Sequence, residues 1–406
     1  MLNRTHAVTV FESDARLGGH AHTHDVPTAD GRTLRIDSGF IVHNERTYPR
    51  LLRLFRDLDV PTQPTEMSMS ITCEACGLSY AGGRGLRGVL AQPRRVTDAR
   101  FLRMVAEVLR FHRAARALLE AEATEAPDPT WGEFLATGAF SEYFVRHFAL
   151  PLVACVWSAG DADAAGYPAR HLFRFLDQHG MLSPHGSPTW RTVTGGSATY
   201  VDKLTALLPD VRTSCAVTAV IRHDDGVEVR TADDHPETFD RVVVATHADQ
   251  ALGLLADATA VEKEDLGAIT YTVNETWLHR DSSVLPPRRA ARASWNYRAN
   301  CARPIDDELA GGVAVSYWMN RLHGFNDDED HVVTLNPHGR VAPGTVTARM
   351  SYAHPVFTHE GVAAAARLRG AGGERLAFAG AHLGWGFHED GCRSGVEAAE
   401  SFGVTW

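Results

Sequence analysis

The chain has 406 residues, 44% hydrophobic and 22% charged, with a formal net charge of -10. That length exceeds one compact core and implies two closely joined domains of ordinary globular composition, and the acidic balance excludes a general nucleic-acid binder. Six cysteines, only two of them close together, exclude a disulfide framework and point to a reducing cytoplasm.

No leading segment has the basic-then-apolar form of a signal peptide, and the longest uncharged apolar-rich run, Phe148 to Gly160, is too short to span a bilayer. Peripheral contact with a membrane is left open. Met1 to Thr5 reads as the end of a helix, followed at once by a buried-type strand, Ala7–Phe11, that runs into Glu12 and then Gly18-Gly19. His20, His22 and His24 alternate. As a strand that spacing would put three imidazoles on one face and could serve a metal, but a polar loop beside a ligand is the preferred reading. Leu34 to Val42 is a strand interrupted at Gly39, and Thr47 to Leu58 is helical with Leu51, Leu52, Phe55 and Leu58 on one face.

Met67 to Tyr80 alternates like strands and holds Cys73-Glu-Ala-Cys76. Zinc needs two further ligands, the chain has no second CxxC, and the pair is read as a plain hairpin with no metal. Helices are expected at Asp98–Ala123, Trp131–Ala136, Ser141–Leu150 and Pro168–His179, forming an inserted cap whose aromatics (Phe144, Phe148, Trp157, Phe173, Phe175) build a core. Gly195-Gly196-Ser197 leads into a helix from Tyr200 to Leu208. Asp225-Gly226 joins the strands Ala216–Arg222 and Gly226–Thr231 in a hairpin, and Arg241–Thr246 is a buried parallel-type strand with a helix after it. Strands follow at Tyr271–Leu278, Ala293–Tyr297, Val313–Trp318, Val332–Leu335 and Thr345–Tyr352. Their aromatics (Trp277, Trp295, Tyr297, Tyr317, Trp318, Tyr352) either face a ligand or, for most, simply pack the sheet. The end is a strand closing on Gly380, a Gly-rich turn to Gly391, and a helix of small residues. Such a construction aims backbone N–H groups and a helix N-terminus at a phosphate or polar ring.

Taken together, Val10 to Gly19, the middle strand at Val217 and Val220, Val244-Ala245-Thr246 and the turn after Gly380 resemble the flavin-containing amine oxidase and phytoene desaturase superfamily. Asp37 to Pro49, Trp190 to Val201 and Gly384 to Gly391 are further similar to a bacterial group of predicted NAD/FAD-binding proteins and to the N-terminal flavin-like region of plant cyclopropane fatty acid synthases. The resemblance implies an α/β (α+β) fold with two domains. Residues 1–65, 190–255 and 360–406 would form a discontinuous Rossmann-like FAD domain, and 66–189 with 256–359 a substrate and cap domain of mixed or antiparallel sheet plus helical insertion. It implies FAD contacts from Glu12 (ribose), Arg16, Gly18, Gly19 and His20, from Val217 (adenine), and from Gly380, Phe387, Asp390 and Gly391. The family opens with a strand and a GxGxxG loop that this chain lacks, so roughly 20–30 residues are expected to be absent in front, with a gap beside Ala7–Phe11.

The implied activity is FAD-dependent oxidation or reduction of a lipid or fatty-acyl-type small molecule in the cytoplasm, functionally linked to a cyclopropane-fatty-acid-synthase-like methyltransferase. His388 and Glu389 are the candidate catalytic residues, although Glu389 and Asp390 serve equally well as helix-capping residues. The alternative is a truncated or degenerate flavin-fold protein that does no chemistry and partners a fatty-acid-modifying enzyme. An NAD(P)-dependent dehydrogenase without flavin comes last, since no second dinucleotide loop is present.

Overall fold

Short strands assemble into six sheets among the described residues, of which a large seven-stranded sheet and two parallel pairs frame the site. The computed structural model describes residues 1–121, 127–158, 164–183, 186–233, 235–303 and 314–406. Residues 122–123, 159–160 and 313 of the expected segments lie outside the described residues.

The larger layer is a seven-stranded sheet in the spatial order Val346–Pro355, Tyr271–His279, Val332–Leu335, Val315–Trp318, Trp295–Ala299, Met69–Cys73 and Ser79–Gly82. All neighbours are antiparallel except Trp295–Ala299 with Met69–Cys73. Val332–Leu335 is buried at every position, as a strand covered on both faces must be, whereas the edge strand Val346–Pro355 alternates in exposure along its first half. The helices Ala99–Glu120, Trp131–Thr137 and Ala169–Gln178 pack over this sheet as a cap. Its core is aromatic, with Phe101, Phe111, Trp131, Phe144, Phe173 and Phe175 all 2% exposed or less. The expected helix Ser141–Leu150 is an α turn at Glu142–Phe144, a π turn at Val145–Ala149, and then a further helix to Trp157.

The smaller layer is parallel and comes from distant parts of the chain. Thr9–Phe11 pairs with Asp210–Arg212, and Val242–Val244 pairs with Leu376–Phe378. Among the described residues these pairs share no ladder, and Thr9–Phe11 has a strand partner on one edge only. The hairpin at Asp225-Gly226 forms with Arg222 opposite Val227 and gains a third strand, Pro236–Phe239, which the sequence pattern does not announce. The helices Ala260–Gly267, which is charge-rich, and His359–Leu368, which is alanine-rich, lie outside the expected elements and pack against each other.

One buried carboxylate joins the segments. Asp37, 1% exposed, accepts through Oδ1 from Thr23 Oγ1 (2.6 Å), Ser197 N (2.9 Å) and Ser197 Oγ (2.8 Å). Its amide donates to His323 Nε2 at 3.2 Å, on the element next to the large sheet. Gly196, at φ +79, fits here because a Cβ would lie 2.5 Å from Thr23 Cγ2. Three donors on one oxygen offset much of the cost of burying the charge, and removing the acceptor strands all three. Asp37→Ala is therefore expected to lower stability by about 3 kcal/mol in a urea titration. A loss under about 1 kcal/mol would mean the knot is dispensable.

Candidate active site

The strand Thr9–Phe11 delivers Glu12 to the carboxyl end of the parallel layer, the side on which open α/β sheets bind ligands. Glu12 Oε1 accepts from Asp14 N (2.9 Å) and Ser13 Oγ (3.3 Å), which fixes the side chain in its own turn. The Glu12 carbonyl accepts from Cys215 N at 2.8 Å, and Asp14 O from Ser214 N at 2.8 Å. Those bonds bring the start of the Val217–Arg222 strand alongside Glu12, so two of the expected cofactor contacts share one corner.

Arg16 does something the sequence does not reveal. Its guanidinium donates to the carbonyls of Leu17 (2.9 Å), Ala21 (3.1 Å) and Gly19 (2.7 Å) and so clamps the Gly-pair turn from inside. Gly18, at φ +108, meets Ala21 O at 2.6 Å where a Cβ would stand, while the corresponding position at Gly19 is open for 4 Å. The turn is held rigid on one side and leaves bare backbone on the other.

At the far end of the chain, Gly380 follows the strand Leu376–Phe378 and donates its amide to Ser394 Oγ at 2.9 Å. The last helix, His388–Ser401, starts under Asp390, whose Oδ2 accepts from Phe387 N at 3.1 Å and whose Oδ1 meets Arg393 at 3.0 Å. Burial raises the Asp390 carboxyl above its usual range. Gly391 has only Ala381 Cβ at 4.0 Å, and Gly395 nothing within 4 Å, so this helix also shows open backbone.

Glu389 turns away from all of this. Its two carboxylate oxygens accept from Arg50 N (3.0 Å) and Leu51 N (2.9 Å), capping the helix Pro49–Asp57 from a distant part of the chain. Of the two roles the sequence allows Glu389, its geometry is the capping one. Glu389→Ala is expected to reduce stability by about 1–2 kcal/mol, measured by urea unfolding, through two unsatisfied helix N–H groups.

His20, Phe387 and His388 line one cavity, which is walled by the cap (Cys155, Val156, Trp157), the large sheet (Trp295, Tyr317, Leu335) and the outermost strand (Tyr352, His354). Three of the six sheet aromatics named from sequence thus face the cavity; Trp277, Tyr297 and Trp318 do not line it. The cap is latched over it by Trp157 Nε1 donating to Trp385 O and Trp385 Nε1 donating to His171 O, each at 3.2 Å. No Asp, Glu, Lys or Arg lines the cavity among the described residues.

Around the His20 wall the imidazoles are crowded. His20 lies 4.7 Å from Tyr352 and 5.7 Å from both His247 and His354, ring centre to ring centre. Tyr352 and His354 share a strand face, a period-two signal present in the sequence. His22 Nδ1 reaches Tyr352 Oη at 3.0 Å, His24 Nε2 reaches Ser38 Oγ at 2.8 Å, and Ser38 Oγ lies 2.7 Å from Tyr352 Oη, so the three alternating histidines gather around Tyr352. His388 Nε2 meets Tyr200 Oη at 3.1 Å. Burial pushes His20 and His388 down to about 3 and His354 and His382 to about 4. These rings are neutral donors and acceptors at pH 7, not cations.

Each of these four binds its proton more readily in the unfolded chain, near 6.5, than in the fold. Their stabilising contribution is full above pH 6.5 and is lost as pH falls toward 4, by up to about 1.4 kcal/mol per unit for each ring. Melting temperature should drop between pH 7 and pH 5; a flat profile would contradict the assignment.

Open glycine backbone at two turns, a carboxylate at a parallel strand end and a neutral aromatic chamber between the large sheet, the cap and the turn before the last helix are features of a two-domain flavoprotein. The residues present fit such a cofactor, because the bare edges at Gly19, Gly391 and Gly395 are spaces that side chains would fill. A family model for flavin-containing amine oxidoreductases matches residues 1–296. The chain belongs to that family, whose members are FAD-dependent oxidoreductases, and its fold is the amine-oxidase type. Among solved structures it is similar to cyclohexylamine oxidase from Brevibacterium oxydans at 16% identity and TM-score 0.68, with 97% of this chain and 92% of that one covered. A cofactor-binding redesign of putrescine oxidase matches at 13% and 0.67, covering 98% and 93%. A fatty acid isomerase from P. acnes, described as producing CLA, matches at 17% and 0.66, covering 98% and 92%. No curated protein sequence matches the chain. Among the described residues, no helix is long and apolar enough to cross a membrane.

Proposed function

We propose that this FAD-dependent oxidoreductase acts on an uncharged, lipid-like substrate of the fatty-acyl kind. The supporting observation is the uncharged lining of the cavity: a cationic amine entering between Trp157, Trp295, Tyr317 and Phe387 would lose its hydration with no described carboxylate there to pair with. An acyl chain loses nothing by the same transfer. The fatty acid isomerase among the structural relatives is compatible with this reading.

FAD supplies the hydride and electron chemistry when bound. The chain's own contribution is to hold it and to exclude water. Glu12 would take the adenosine ribose, the Val217 strand the adenine, the Gly18-Gly19 turn the pyrophosphate, and the N-terminus of the last helix the ribityl and ring end. His388, a lining residue of the cavity, is kept neutral by burial, and its Nε2 shares a hydrogen bond with Tyr200 Oη, which would hold the ring in one orientation against the flavin. We extend the proposal to a functional link with a cyclopropane-fatty-acid-synthase-like methyltransferase, which works on the same acyl chains.

The second reading, a flavin-fold partner that does no chemistry, is favoured by the two parallel strand pairs sharing no ladder among the described residues. Reconstitution with FAD separates the two. Uptake with a structured flavin absorption band is expected, weakened at least tenfold by Glu12→Ala, and a colourless protein would sink the enzyme reading. On the loaded protein, an uncharged ester of an unsaturated fatty acid should bleach the flavin band or be isomerised, whereas putrescine should do neither. Bleaching by the amine alone would overturn the lipid assignment.

A further inference from the structure

The CxxC motif does not stand alone in three dimensions. The ligand atoms of Cys73, Cys76, His147 and Cys301 all lie within 4.8 Å of one another. Cys73 ends the strand Met69–Cys73, Cys76 stands in the turn that leads to Ser79–Gly82, His147 sits in the π turn Val145–Ala149, and Cys301 follows the strand Trp295–Ala299. All six cysteines of the chain are free thiols. None of the four residues lines the cavity described above.

We propose that these four residues bind one zinc ion as a closed structural site that pins the cap to the edge of the large sheet. Three thiols and one imidazole are a complete tetrahedral donor set for zinc, leaving no coordination position for a substrate. With Zn–S near 2.3 Å, ligand atoms in a tetrahedron stand roughly 3.6–3.8 Å apart, so the cluster needs to draw in by only about 1 Å. One pair, Cys76 Sγ and His147 Nε2, is already at 3.4 Å.

The surroundings match a metal site better than a thiol pair. His147 Nδ1 is 2.9 Å from Tyr143 O, which places the ring proton on Nδ1 and turns the Nε2 lone pair toward the sulfurs. The Cys301 amide points at Cys73 Sγ at 3.4 Å. The turn closes with Gly77 N donating to Cys73 O (3.0 Å) and Cys73 N to Leu78 O (2.8 Å), and Gly77 takes φ +68. Arg95 donates to Cys76 O at 2.8 Å, a positive charge beside what would be a net negative tris-thiolate centre. The π turn has a cause on this reading as well: one inserted residue in a helix re-aims a side chain, here His147, at the cluster.

Zinc content of the intact protein tests the site. Protein from zinc-supplemented culture, purified with a reductant and desalted, should carry about one zinc per chain by plasma mass spectrometry. Cys76→Ser and Cys301→Ser should each cut that at least tenfold, while Cys215→Ser, outside the cluster, should keep it. Should a variant fail to fold, cobalt exchanged into the wild-type protein still decides: an intense tetrahedral visible spectrum with thiolate-to-metal charge transfer is expected. Metal-free protein, iron in place of zinc, a weak octahedral cobalt spectrum, or a Cys73–Cys76 disulfide in a non-reducing peptide map would each overturn the proposal.

Discussion

The fold depends on one oxygen atom of Asp37. A carboxylate that is 1% exposed survives only if its surroundings are already assembled. Here the surroundings come from Thr23 at the start of the chain, from the Gly196-Ser197 turn, and from His323 beside the large sheet. No apolar residue could replace it, because the donors converging on Oδ1 would then be buried without partners. The knot therefore ties the Thr23–Pro27 and Thr33–Asp37 hairpin to the turn before Ala198 and to His323, and the next residues along the chain, Ser38 and Gly39, line the cavity.

Glu389 and Arg16 show the same logic at the rim of the site. Each carries a charge that a sequence reader would assign to chemistry or to a phosphate. Each is instead spent on backbone groups, two amides for Glu389 and three carbonyls for Arg16. Glu389 ties the last helix to the Pro49–Asp57 helix, while Arg16 stiffens the Gly-pair turn on itself. The cavity itself is left to neutral imidazoles and aromatic faces.

Much of this was legible beforehand, wherever the signal is local. Val332–Leu335 has the bounds expected of it, the Asp225-Gly226 hairpin forms, and the residues between Glu12 and Gly19 and between Gly380 and Gly391, modest singly, carry the family resemblance by their order along the chain. What stayed hidden is what depends on distance along the chain. Cys76 and His147 are 71 positions apart and Cys73 and Cys301 are 228, so no spacing rule could join them. The strand Pro236–Phe239 was missed because a proline opens it and its burial is slight, as suits an edge strand. Glu389 was ambiguous because a cap and a catalytic carboxylate look alike until the receiving helix is in place.

The pairing of Thr9–Phe11 with Asp210–Arg212, and of Val242–Val244 with Leu376–Phe378, bears on how the protein is made. A ribosome releases the first strand long before its neighbour exists, and the helix Pro49–Asp57 waits for Glu389 until synthesis is nearly over. The large sheet, whose central strands are complete once Leu335 emerges, can close earlier. The cofactor cradle is thus the last part to mature, and for most of translation its strands are exposed edges.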